Sequence, residues 1–63
     1  MEVNVRRLRE LRVDKGWTQR ELGERAGVTQ TTVWKIEHGG GANAGTLKKL
    51  GDALGIRASE LMR

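Results

Sequence analysis

Four polar side chains near the middle of the chain carry hydrogen-bonding groups of the kind that match base edges and phosphates. Gln30 offers an amide that donates and accepts together, the pattern complementary to adenine N6 and N7. Thr31 beside it brings a hydroxyl and a methyl, suited to an exocyclic amine or to a thymine methyl. Lys35, about one helical turn on, suits guanine O6 and N7 and equally a phosphate. Gln19 stands at the start of a separate helical pattern, where free backbone N–H groups and the positive dipole end favour an anion. Catalytic chemistry has far less to build on. The chain holds one His and no Cys, and its acids form no cluster with a base, so no enzyme, metal or cofactor is expected.

These side chains need rigid elements beneath them, and the sequence writes two short helices on either side of Gly27. Thr18 is an N-cap with Glu21 at the capping-box position, and Trp17 and Leu22 can close a hydrophobic staple. Thr29 caps the second helix, which runs about Thr29–Glu37, with Thr32 where a capping box wants Glu or Gln. Gly27 supplies the left-handed residue that ends the first of the pair, and Gly23 leaves room for close approach. Leu22, Ala26, Val28, Val33 and Ile36 then seal the two helices together. Gln30, Thr31, Trp34, Lys35 and His38 are left outside. The pattern is a helix-turn-helix.

The flanks supply the rest of an all-α, five-helix domain spanning residues 1–63. A first helix is expected from Val3 or Asn4 to Lys15, with Val5, Leu8 and Leu11 or Arg12 on its inner face and Gly16 as its stop. Arg6, Arg7 and Arg9 lie mostly off that face, as a solvated surface or as one or two phosphate contacts. Arg12 shares the apolar face, where an unpaired guanidinium is costly. Asn43 caps a fourth helix with Leu47, Leu50, Ala53 and Leu54 as its buried stripe and Gly55 as its end. Arg57 to Met62 make a short last helix anchored by Leu61.

Composition sets outer limits. Sixty-three residues make one domain at most, too small for a sizeable enclosed cleft. Twelve Lys and Arg against eight Asp and Glu give a formal charge of +4, consistent with an anionic partner. With two Trp as the only aromatic residues, there is little from which to build a stacking platform for single strands. No long apolar run or secretory leader is evident, so a cytoplasmic, nucleoid-associated protein without membrane or small-molecule partner is expected. The run Gly39-Gly40-Gly41 lacks the Lys-Ser or Lys-Thr pair of a nucleotide-binding loop.

From about Leu8 to Leu61 the chain resembles the helix-turn-helix domain of the phage repressor and Cro (Xre) family, down to the Trp17-Thr18-Gln19 lead-in and the turn glycine. The resemblance implies sequence-specific double-stranded DNA binding, with the third helix in the major groove and the second across the backbone. It implies base contacts from Gln30, Thr31 and Lys35. Trp34 stands where the family is polar or small, and it either packs on deoxyribose and thymine methyls or covers a neighbouring helix. Gln19 is implied to hold a phosphate and to brace Gln30, with Arg20 and Thr29 as further phosphate contacts. Arg12 and Glu37 are implied to form a structural ion pair between the first and third helices.

The loop after the third helix departs from the family, which often places Lys or Arg there followed by Pro. Here no cation stands between His38 and Lys48. Phosphate contacts on this side are expected instead from His38, from the backbone N–H groups of Gly40 to Gly45, and from Asn43. Family members often carry Ser or Thr at the position of Arg57, so the last helix is expected to be poorly capped and frayed. No dimerisation arm or effector domain is expected, which points to a monomer in solution that reads one half-site or pairs weakly on DNA. The competing reading is a protein-interaction module of the antitoxin or coactivator type, which shares this fold. A natural regulator and an engineered minimal binder share every one of these features.

Overall fold

The computed structural model describes residues 1–62. Four α-helices, α1 (Val5–Asp14), α2 (Gln19–Ala26), α3 (Gln30–Glu37) and α4 (Ala44–Leu54), are followed by a 3-10 turn at Ala58–Leu61. The fifth helix of the sequence reading is therefore a single tight turn. Among the described residues there is no strand, only an isolated antiparallel bridge between Val3 and Met62.

Each α-helix starts on a side-chain acceptor. Asn4, Thr18, Thr29 and Asn43 accept from the backbone N–H of Arg7, Glu21, Thr32 and Thr46 respectively. The Thr18 box is complete, because the Thr18 N–H donates to the Glu21 carboxylate at 3.0 Å. Those bonds from the Thr18 backbone and hydroxyl side hold the Glu21 carboxyl below the ordinary carboxylate range, with Arg25 adding to them. In place of a second box, the Thr29 and Thr32 hydroxyls share a 2.9 Å hydrogen bond.

Each α-helix also stops in one way. Gly16, Gly27, Gly39 and Gly55 take positive φ, and the next residue's N–H reaches back to the carbonyl five residues before it. After α1, α2 and α4 that next residue is Trp17, Val28 or Ile56, an apolar group that folds back toward the core. After α3 it is Gly40. There a Cβ would lie 2.8 Å from the Lys35 carbonyl oxygen, so the loop leaves α3 along a path open only to glycine.

The core is continuous. Leu8, Leu22, Val33, Ile36, Leu47, Leu50, Leu54 and Leu61 are buried, with Leu11, Trp17, Ala26, Val28, Ala53 and Ile56 packed around them. Gly23 sits where α2 meets the turn, and a Cβ there would be 2.8 Å from the Val28 carbonyl oxygen. This is the close approach expected of it.

The start of the chain departs from expectation. Val3 is not helical; it is buried and extended, and Asn4 N–H donates to the Leu61 carbonyl at 2.7 Å. The Met1 carbonyl accepts from Ala42 N–H at 3.0 Å, so the first residues strap the loop after α3 to the closing turn. The last turn has no side-chain cap at Arg57, as expected. Glu60 reaches back to accept from Arg57 N–H at 3.1 Å, and Leu61 is fully buried.

Candidate nucleic-acid interface

Helix α3 turns Val33, Ile36 and Glu37 inward and leaves Gln30, Thr31, Trp34 and Lys35 exposed. The division follows from the 3.6-residue period, which puts the inward residues on one stripe and the polar residues on the other. Among the described residues, Gln30, Thr31 and Lys35 make no side-chain hydrogen bond or ion pair. Their donors and acceptors remain available.

Trp34 stacks on His38. Its ring lies 4.0 Å from that of His38 at 19°, a stacked pair within one helix face, and the residue is 50% exposed. His38 Nδ1 lies 2.8 Å from the Trp34 carbonyl. A carbonyl only accepts, so Nδ1 carries the proton and Nε2 faces away from this bond. Trp17, by contrast, is half-buried beneath the Arg25 guanidinium, 4.6 Å from the ring centre.

Behind the exposed face sits Glu37, the one buried charged side chain among the described residues. Arg12 Nε and Nη2 donate to its two oxygens at 2.7 and 3.0 Å, and Arg12 Nη1 donates to the Trp17 carbonyl at 2.8 Å. Gln19 Nε2 donates to Glu37 Oε1 at 3.3 Å. Arg9 Nη2 donates to the Glu37 carbonyl at 3.0 Å. Burial alone pushes the Glu37 carboxyl upward. The bonds from Arg12 and Gln19, the Arg12 charge and the Arg9 contact outweigh it and hold the group below the ordinary carboxylate range.

Two expectations change here. Gln19 was to brace Gln30, but its hydrogen bond goes to Glu37, and Gln30 has no hydrogen-bonded partner among the described residues. Gly40 was to donate its N–H to a phosphate, but that N–H already bonds the Lys35 carbonyl at 2.8 Å, which closes the end of α3. Of the remaining expected contacts, Arg20 is exposed beside Glu24 at 4.0 Å, and the Thr29 hydroxyl is engaged in capping. Asn43 is exposed and caps α4 through Oδ1, which leaves its amide N–H groups free of that bond. Sequence reasoning missed Arg9 and Gln19 as partners of Glu37. The available signal for Arg9 was its place one helical turn before Arg12.

A short α2, a glycine-ended turn and a packed α3 with a free polar face define a helix-turn-helix domain, a DNA-binding class. The chain belongs to the Xre-like helix-turn-helix family, whose model, described as "Helix-turn-helix", matches residues 8–61. It is similar to a hypothetical transcription factor, NHTF, from Neisseria, with 33% identity and a TM-score of 0.81 over 89% of this chain. It is also similar to the clp gene regulator ClgR from Corynebacterium glutamicum, with 33% identity and a TM-score of 0.74 over 84% of this chain. This chain spans 66% and 57% of those two chains. No curated protein matches its sequence. Among the described residues, no helix is long and apolar enough to cross a membrane, and no group of acids and His could hold a metal ion.

Proposed function

We propose that residues 1–63 form one domain that binds double-stranded DNA sequence-specifically, as the reading part of a transcriptional regulator. Helix α3 lies in the major groove and α2 crosses the backbone. The reading rests on one observation: the outer side of α3 is an uninterrupted polar and aromatic row, while its inner side is wholly committed to the core.

Gln30 reads adenine, Thr31 a neighbouring methyl or amine, and Lys35 guanine or a phosphate. The exposure of Trp34 favours the groove wall, where the indole packs on deoxyribose and thymine methyls. Gln19, Arg20, Thr29, His38 and Asn43 contact phosphates, with Gln19 placed at the free N–H end of α2. The domain works as a monomer on one half-site or as a weak pair formed on DNA.

Selection from a random duplex library at two salt concentrations tests this. The expected result is an enriched motif whose affinity falls steeply as salt rises. Salt-sensitive binding without enrichment would reduce the domain to a non-specific binder. No binding at either salt would favour a protein partner on the same face.

A further inference from the structure

The loop that follows α3 has no Lys or Arg between His38 and Lys48. A duplex along that edge meets no cation from the loop itself. Arg9 arrives there from α1. Its Nη2 donates to the Glu37 carbonyl at 3.0 Å, in the last turn of α3, and its Nε lies 3.5 Å from Glu37 Oε1.

Glu37 does not need this second guanidinium. Arg12 already occupies both carboxylate oxygens, at 2.7 and 3.0 Å. Two cations set against one anion leave the cluster with one surplus positive charge. The surplus falls on Arg9, whose side chain is 52% exposed against 15% for Arg12. A guanidinium has five N–H donors. The contacts to Glu37 use one on Nη2 and turn Nε inward, so the Nη1 pair and the second Nη2 proton have no protein acceptor among the described residues. An arginine held at its inner edge with its outer edge free is already shaped to bind a phosphate through two parallel bonds.

We propose that Arg9 is a phosphate-binding residue, anchored on the last turn of α3 and presenting its free guanidinium edge to a backbone phosphodiester of the duplex that α3 reads. The site supplies, from the first helix, the charge that the glycine loop lacks. This inference rests on the DNA-binding reading above.

The test compares the parent with Arg9→Gln and Arg9→Lys on the duplex enriched by selection, plotting log affinity against log salt. Loss of one phosphate contact lowers the steepness of that plot by about 0.9 in Arg9→Gln. Arg9→Lys keeps the parental slope with weaker affinity, since the charge stays and the fork is lost. A parental slope in Arg9→Gln, with only a lower urea midpoint, would make Arg9 a cap for α3 and overturn the proposal. Failure of the parent to bind any duplex is a separate result, and it overturns the DNA-binding reading together with this one. Inorganic phosphate without duplex, compared with chloride at equal ionic strength, distinguishes a free-anion site. An Arg9-dependent rise in the melting midpoint there would assign Arg9 to a free anion instead of DNA.

Discussion

Arg12 and Glu37 meet through two hydrogen bonds, at 2.7 and 3.0 Å, and join the first helix to the last turn of the third. The carboxylate side chain is 1% exposed and the guanidinium 15%, so neither charge has free access to water. Removing one partner of such a pair strands the other, at ~3–5 kcal/mol when fully buried. Arg9 and Gln19 remain on Glu37, so Arg12→Met is expected at the lower end, about 3 kcal/mol. Urea unfolding followed by far-UV circular dichroism measures it, and a midpoint equal to the parent's would remove the pair from any account of stability.

The same cluster predicts a limb of acid sensitivity. Glu37 is held below the ordinary carboxylate range, chiefly by its bonds to Arg12 and Gln19. A carboxyl whose folded pKa is depressed stabilises the fold above its unfolded pKa, and that contribution is lost as pH falls through the folded value. Stability should therefore decline from about pH 5 downward, and Glu37→Gln should flatten part of the decline. Glu21, also lowered by its bonds to Thr18, leaves a residual slope in that variant. Urea midpoints across a pH series give the answer. An unchanged acid limb in Glu37→Gln would assign the sensitivity to other carboxyls.

Two glycines in and after the loop separate necessity from accident. A Cβ on Gly40 would lie 2.8 Å from the Lys35 carbonyl oxygen, whereas one on Gly45 meets only Asn43 Oδ1 at 3.5 Å. Gly40→Ala must push backbone against backbone and should destabilise by about 1–3 kcal/mol. Gly45→Ala removes unfolded-chain freedom within α4 and should stabilise by roughly 0.4–1 kcal/mol. Thermal melts of both variants check the contrast. Equal shifts of the two would mean that the exit path from α3 relaxes freely.

The helices, their caps and most of the core were legible because they depend on local rules. Thr18, Thr29 and Asn43 each cap within three residues, and the Leu22, Val33, Leu47, Leu50 and Leu54 stripes follow the helical period. What was not legible lies between residues far apart in the chain. Val3 pairs with Met62 through backbone groups that leave no periodic trace, so the first helix was begun too early. Gln19 could as well have reached Gln30 as Glu37, and only packing decided it. Gly40 was read as approaching a phosphate, but the neighbour its backbone approaches is the Lys35 carbonyl of the preceding helix. The ladder of side chains on the outer face was readable by period, while which base each meets depends on how the helix docks.

Gln30 and Gln19 differ in surroundings, and their substitutions should differ in kind. Gln30 is exposed at the first turn of α3 with its amide free, so Gln30→Ala removes base-edge bonds and little else. It should relax preference at one or two base pairs and cost about 1–3 kcal/mol on the selected site, with the urea midpoint unchanged. Gln19 is half-buried and donates to Glu37 at 3.3 Å, so Gln19→Ala touches both the backbone contact and the ion-pair cluster. It should weaken all duplexes alike and lower stability by about 0.5–1.5 kcal/mol, the net worth of one hydrogen bond. Binding to the selected duplex and to single-base variants, measured beside urea unfolding, resolves the two. If Gln30→Ala keeps the parental base preference, Gln30 does not read sequence. If Gln19→Ala changes base preference, Gln19 acts through the position of α3 and not only through a phosphate.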